Sequence, residues 1–172
     1  VFVSIAMLDR ELARTLDPRA AAPGRRLEII AEFARAGIPV GVNVAPVIPQ
    51  LTDKDLESIL EAAAAAGATH AGYTLLRLPR EVAPLFRAWL DAHYPLRAAH
   101  VMSIVQDIRG GRDNDPRFGK RMTGQGIFAE LIRQRFAKAC ARLGLGKRDR
   151  GLRTDLFEPP RTGAGQLDLF GS

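Results

Sequence analysis

Three apolar runs, at residues 1–5, 39–48 and 71–78, each lead into a segment of different periodicity, and this repeat constrains the fold most. The middle run, PVGVNVAPVI, is apolar at nearly every position. A strand buried on both faces reads this way. Residues 24–36 place Leu27, Ile30, Ala31 and Ala34 at i, i+3, i+4 and i+7, one face of a helix. Gly37 then offers the left-handed residue that ends it. Thr52-Asp53-Lys54-Asp55 is a cap-like start with acid in the first turn. Leu56, Ile59, Leu60, Ala63 and Ala64 mark the buried face of the helix it opens, and Gly67 closes that helix. Pro79 and Arg80 turn the chain from the third run into a helix with Val82, Leu85, Phe86, Trp89 and Leu90 on one face. The order βαβαβα, in units of about 35 residues, calls for right-handed crossovers and a parallel sheet. Three such strands neither close a barrel nor make a comfortable open sheet. Residues 1–94 are therefore expected to form half of a parallel α/β barrel of three βα units. The chain opens on Val1 rather than Met, and a strand pattern begins with it. This leads us to expect a chain that starts partway through a fold, with the other half of the barrel as its missing partner.

The remainder has another character. Residues 95–145 are expected to be a helical, basic extension. Val101, Ile104, Val105 and Ile108 lie at helical spacing, and a polar, glycine-rich loop occupies 110–126. A long helix then carries Phe128, Leu131, Ile132, Phe136, Ala139, Cys140 and Leu143 on one face, capped by Gly144. Residues 146–172 read as a flexible tail. The net charge is +6, unevenly spread: residues 97–161 hold 15 Lys+Arg against 7 Asp+Glu, a net of +8, and the rest is net −2. A basic patch of this kind is the electrostatic footprint of a nucleic-acid partner. The alternative is a solvated helical face in an arginine-rich composition. Arg112, Arg117, Lys120 and Arg121 are the candidate nucleic-acid contacts, because glycine-rich backbone can approach phosphates closely.

Apolar residues make up 47% of the chain, which argues against wholesale disorder. No apolar run reaches the roughly 18 residues that a membrane-spanning helix needs, and no signal peptide is visible. The single cysteine, Cys140, excludes an internal disulfide framework and any multi-cysteine cage, and a reducing cytoplasmic setting fits best. Cys140 lies on the buried stripe of its helix and is expected to be inert packing. His70, His93 and His100 have no metal-ligand spacing, and His93 is expected in the core. No phosphate-binding glycine loop and no G-x-S-x-G elbow occurs.

In parallel α/β barrels the functional groups sit at the C-terminal ends of the strands. Ser4, with Asp9 just beyond it, qualifies in the first strand, Asn43 in the second, and Tyr73 and Arg77 in the third. A polar side chain in an apolar strand must find a partner, so Asn43 and Arg77 are the most informative. Their purely structural alternative is that Asn43 bonds a neighbouring loop and Arg77 pairs with an acid on the rim.

At these residues the chain resembles the second half of a radical SAM barrel. The branch is the one related to spore photoproduct lyase, the DNA repair photolyase-like family. The motifs are VSIAMLD, LDPRA with its downstream arginines, AGIPVGVNVAPVIP and AGYTLLRLP. The later segment HVMSIVQDIRGGRDNDPRFGKRMTGQG looks like that family's C-terminal extension, so the resemblance covers about residues 1–145. It implies an enzyme that cleaves S-adenosylmethionine with a [4Fe–4S] cluster to start radical chemistry, with a lyase or nucleic-acid repair or modification role. The cluster of that family rides on a C-x-x-x-C-x-x-C loop after the first barrel strand, and three thiolates leave one iron open to the methionine moiety. This chain lacks that motif, so no cluster and no activity are expected of it alone. The resemblance places Ser4 near the ribose. It sets Asn43, Val44, Pro46 and Ile48 beside the adenosyl group, and makes Leu76 and Arg77 the far wall. No catalytic residue is assigned, and no metal ligand.

One further motif lies near the C-terminus. Gln166-Leu167-Asp168-Leu169-Phe170 follows Thr162-Gly163-Ala164-Gly165 and looks like the Q-L-x-L-F peptide by which bacterial polymerases and repair proteins dock on the sliding clamp. Leu169 and Phe170 would be apolar anchors, and Gln166 would satisfy a polar pocket rim. The alternative is that both anchors fold back onto the helical surface. Two functions of different class thus stand open: a radical SAM enzyme fragment, and a non-catalytic module that binds nucleic acid or the clamp.

Overall fold

The computed structural model describes residues 1–146 and Glu158. Strands β1 (Phe2–Ser4), β2 (Gly41–Val47) and β3 (His70–Leu75) form one parallel sheet in the order β1-β2-β3. The helices are α1 (Arg10–Leu16), α2 (Pro23–Arg35), α3 (Leu56–Ala65), α4 (Val82–His93), α5 (Pro95–Asp107) and α6 (Gly126–Leu143). The alternating order read from the apolar runs is therefore present, with α1 added. Asp9 makes α1: its Oδ1 accepts from the Glu11 and Leu12 N–H groups at 2.9 and 3.1 Å, the N-cap arrangement. Only Leu12 of that helix is buried, so it has no apolar stripe to detect.

The sheet is covered on one face. Val42 and Val44 of β2 and Leu75 of β3 pack with Ile30 of α2 and Leu56, Ile59, Leu60 and Ala63 of α3. Ile132 and Ala139 of α6 enter the same core, so the C-terminal helix covers the sheet beside α3. Arg135 fastens α6 there. Its Nε donates to Glu57 Oε1 at 2.7 Å, and its Nη2 donates to Glu57 Oε2 at 2.6 Å and to the Asp53 carbonyl at 2.8 Å.

The alternate residues point the other way. The register aligns Phe2, Gly41 and His70 in one row and Ser4, Asn43 and Gly72 in the next. None of these six joins either apolar core of the described residues, and Phe2 is 61% exposed. Among the described residues no helix of either core packs on this second face, which is unusual for a parallel sheet, since crossover helices normally cover both. Gly41 is required in its row: a Cβ there would fall 2.7 Å from Phe2 Cε1 and 2.9 Å from the His70 carbonyl.

A second core lies beyond the C-terminal ends of the strands. Ile48, Leu51, Leu76 and Leu78 meet Phe86 and Leu90 of α4 and Val101 and Val105 of α5. Packing against α5 sets which face of α4 is buried. Ala83, Phe86 and Leu90 go inward, while Val82 and Leu85, expected inside, are 44% and 68% exposed. His93 is likewise not a core residue: it is exposed, its ring 5.1 Å from that of Trp89. Thr52 does not cap α3, which follows a 3₁₀ turn at Asp53–Asp55 and has no side-chain cap bond. Its hydroxyl accepts from the Ile48 N–H at 2.8 Å and donates to the Pro46 carbonyl at 3.1 Å, closing the turn after β2 instead. No helix among the described residues is long and apolar enough to cross a membrane.

Candidate functional site

A cleft of about 540 Å³ opens at the C-terminal ends of the strands. Its floor is Ile5, Ala6 and Met7 after β1, Ala45, Pro46 and Ile48 at the end of β2, and Leu76 and Leu78 after β3. One wall is α1 with the segment that follows it, and the opposite wall is the first turns of α4. Three hydrogen bonds hold this frame. Trp89 Nε1 donates to the Thr15 carbonyl at 3.0 Å, tying α4 to α1. The Leu8 N–H donates to Asp55 Oδ2 at 3.0 Å, tying the turn after β1 to the start of α3. Arg26 Nη1 donates to the Ser4 carbonyl at 2.7 Å. The Ala45–Pro46 peptide is cis, and the β2–β3 register shifts between Val44 and Val47. The lining is chiefly apolar with a few charged groups, and the volume falls in the range of small-molecule sites.

Of the residues assigned by resemblance, Pro46, Ile48 and Leu76 line this cleft. Ser4 and Asn43 lie side by side in register on the second face of the sheet, outside the cleft lining. Val44 is fully buried in the first core, so only its backbone could meet a ligand. Tyr73 is on the helix-covered face, with its ring 4.8 Å from Phe136, and burial pushes its phenol up. Arg77 has no carboxylate partner among the described residues. Its Nη1 lies 3.8 Å from Met122 Sδ, and its buried Nε bonds nothing. Neither structural alternative, an acid for Arg77 or a loop hydrogen bond for the Asn43 side chain, is present among the described residues.

Arg109 was not anticipated, because an arginine ending an apolar helix reads as a surface residue. It is 1% exposed. Its Nη2 donates to the Leu75 and Leu76 carbonyls at 2.9 and 2.6 Å, and its Nη1 donates to the Lys120 and Arg121 carbonyls at 3.2 and 2.9 Å. One guanidinium thus staples the glycine-rich loop to the end of β3. Burial, and then the charge of Arg77, hold its pKa below the ordinary value.

That loop carries the four candidate nucleic-acid contacts, in unequal states. Arg117 is engaged: it grips Asp115 through Nε and Nη2 at 2.9 and 2.7 Å, which holds the Asp115 carboxyl well below the usual range. Lys120 Nζ donates to Gln125 Oε1 at 3.0 Å. Arg121 sits 5.4 Å from the centre of the Phe118 ring, and that ring is 90% exposed. Arg112 has no partner among the described residues. The peptide from Gln166 to Phe170, with Leu167, Asp168 and Leu169, lies outside the described residues.

The described residues do not fit an iron–sulfur cluster. No group of three His, Cys, Asp or Glu that could hold a metal occurs among them. Cys140 is half-buried against the first core, and burial pushes its thiol up, away from the thiolate an iron site needs.

No family model matches the chain, and no solved structure matches it. An uncharacterized protein of Mycobacterium tuberculosis is 39% identical over 97 residues, which is 55% of this chain and 28% of that protein. An uncharacterized protein of Mycobacterium bovis is similar to the same extent. An uncharacterized protein of Acidianus two-tailed virus is 39% identical over 70 residues, 38% of this chain and 23% of its own length. The matched stretch thus spans less than a third of each of these relatives.

Proposed function

We propose that this chain is the C-terminal half of a radical SAM enzyme of the branch related to spore photoproduct lyase, acting in the cytoplasm, with nucleic acid as the expected substrate class. The observation that carries the reading is the three-stranded parallel sheet. Among the described residues no helix of either core packs on one of its faces, and its C-terminal strand ends open into an apolar cleft. In a half-barrel that face is the barrel interior, and the strand ends carry the ligand site. Pro46, Ile48 and Leu76 would wall the adenine, while Ser4 and Asn43 would offer polar groups to the ribose from the interior face. Val44 would contribute through its backbone, and Arg77 would orient a carboxylate or phosphate. S-adenosylmethionine, when bound, supplies the radical chemistry. The cluster that cleaves it does not fit the described residues of this chain.

The test is to read the coding sequence preceding Val1. A C-x-x-x-C-x-x-C motif in frame is expected, and the longer product, loaded with iron and sulfide, should release 5′-deoxyadenosine from S-adenosylmethionine under a strong reductant. An in-frame stop codon immediately upstream of Val1 would overturn the reading.

The exposed Phe118 ring beside Arg121 favours a second reading, a non-catalytic module that stacks and neutralises nucleic acid on the 110–125 loop. Filter binding of a labelled oligonucleotide by the chain, with no requirement for S-adenosylmethionine, is its expected signature.

A further inference from the structure

The cleft has an electrostatic asymmetry that the adenosyl reading does not use. Arg10, Arg14, Arg26 and Asp17 are the charged groups in its lining. Arg26 is committed: its Nε donates to the Ala21 carbonyl at 3.0 Å, its Nη1 to the Ser4 carbonyl, and its Nη2 lies 3.9 Å from Asp17 Oδ2. Asp17, the one acid of the lining, is set against three arginines and has its nearest ion-pair contact with Arg26. Arg10 and Arg14 have no hydrogen-bond or ion-pair partner among the described residues. They stand one turn apart on α1, which sets their side chains next to each other, with Cβ atoms about 5–6 Å apart. Oδ1 of the nearby Asp9 accepts both N-cap bonds of the same helix, and Asp9 is not part of the cleft lining. Across the cleft Val82 and Leu85 stay exposed on its rim, and Phe86 and Trp89 stack with centroids 5.8 Å apart. One wall thus carries three arginines against one acid, and the other is aromatic and aliphatic.

We propose that the cleft takes an anionic ligand with an aromatic or aliphatic body, its acid held between Arg10 and Arg14 and its body laid against the α4 wall. The assignment rests on the cleft being the ligand site named above and is separable from the identity of the cofactor. Two guanidiniums on adjacent turns suit a carboxylate, sulfonate or phosphate, because each can present paired N–H donors to planar or tetrahedral oxygens. The apolar wall supplies affinity through area removed from water, and the arginines supply selection for charge.

The experiment uses the full chain and two matched fluorescent probes. One is 8-anilinonaphthalene-1-sulfonate, and the other is N-phenyl-1-naphthylamine, the same ring system without the acid. The sulfonate should bind saturably and roughly tenfold more tightly than the neutral probe, as expected for two partly solvated charge contacts. The double variant R10Q/R14Q should remove that preference and leave the neutral probe's affinity unchanged. Both arginines are exposed, so this variant should keep the far-ultraviolet circular dichroism of the parent. Ala13 also lines the cleft, and Ala13→Trp should displace both probes. Equal affinities for the two probes, a preference that survives R10Q/R14Q, or probe binding undiminished in a folded Ala13→Trp variant would each overturn the proposal. A parallel calorimetric titration with S-adenosylhomocysteine separates the two ideas. Its failure with the charge preference intact removes the adenosyl reading alone, and the converse result removes this one alone.

Discussion

Arg109→Met should be among the most damaging single substitutions in this chain. Methionine keeps most of the stem volume and deletes all the donors. Four carbonyls then lose a partner: those of Leu75 and Leu76 inside the protein, and those of Lys120 and Arg121 nearer solvent. A buried carbonyl left without a donor costs about 1–3 kcal/mol, so the two inner ones give about 2–6 kcal/mol, while water can replace the donor at the outer pair. Some of that is offset. The wild type buries a charge beside Arg77 and leaves its own Nε unbonded, and the variant is relieved of both. A net loss of about 2–4 kcal/mol remains. With a urea m value of about 2 kcal/mol/M, the unfolding midpoint should fall by about 1–2 M. The 110–125 loop should also become more sensitive to trypsin, because its anchor on β3 is gone. A midpoint within about 0.3 M of wild type, with unchanged cleavage of the loop, would refute the view that this guanidinium joins the loop to the sheet.

Three other outcomes can be measured. Glu57→Gln removes the carboxylate that Arg135 grips and should lower stability by about 1 kcal/mol at pH 7. Because Arg135 holds the folded Glu57 pKa below its ordinary 4.5, that stability is present above pH 4.5 and lost as pH falls through the lowered value. The melting temperatures of wild type and E57Q should therefore converge in acid; a constant gap down to pH 2 would contradict the ion pair. If the chain binds single-stranded nucleic acid, neutralising Arg112, Lys120 and Arg121 should lower the salt slope by about 2, at about 0.7 per phosphate contact. Neutralising Arg117, already held by Asp115, should change it little, and equal effects from all four would refute this ranking. Replacing Leu169 and Phe170 by alanine should abolish retention on an immobilised bacterial sliding clamp, and equal retention of both forms would end the clamp-peptide reading.

Most of the element order was legible in the residues because it rests on local periodicity. The run at 39–48 is apolar at nearly every position, and the apolar faces of α2, α3 and α6 repeat at helical spacing; such patterns survive without tertiary contacts, although the run reads as buried on both faces and the sheet has helices of its cores on one. The short α1 was missed because one buried leucine makes no pattern, although Asp9 followed by Glu11 and Leu12 was its available cap signal. A threonine ahead of an acidic turn, as at Thr52, looks like an N-cap. Its hydroxyl instead serves Ile48 and Pro46, several residues back. Pro46, Ile48 and Leu76, which the resemblance sets beside an adenosyl group, lie on the floor of the cleft, while its α1 wall and the arginine pair have no signal in the local pattern.

The chain alone therefore determined three parallel strands, their alternating helices, the long helix α6 and the basic loop, because each is written in spacing or composition over a few turns. Tertiary structure alone decided which face of the sheet the helices of its cores cover, which face of α4 turns outward and which arginines are spent. Arg26, Arg109 and Arg135 look like Arg10 and Arg14 in sequence. Only the placement of carbonyls and carboxylates from distant segments, such as Ser4, Leu76 and Glu57, consumes the first group's donors. Partnership across tens of residues depends on where the backbone brings groups together in space, and local pattern carries no record of that distance.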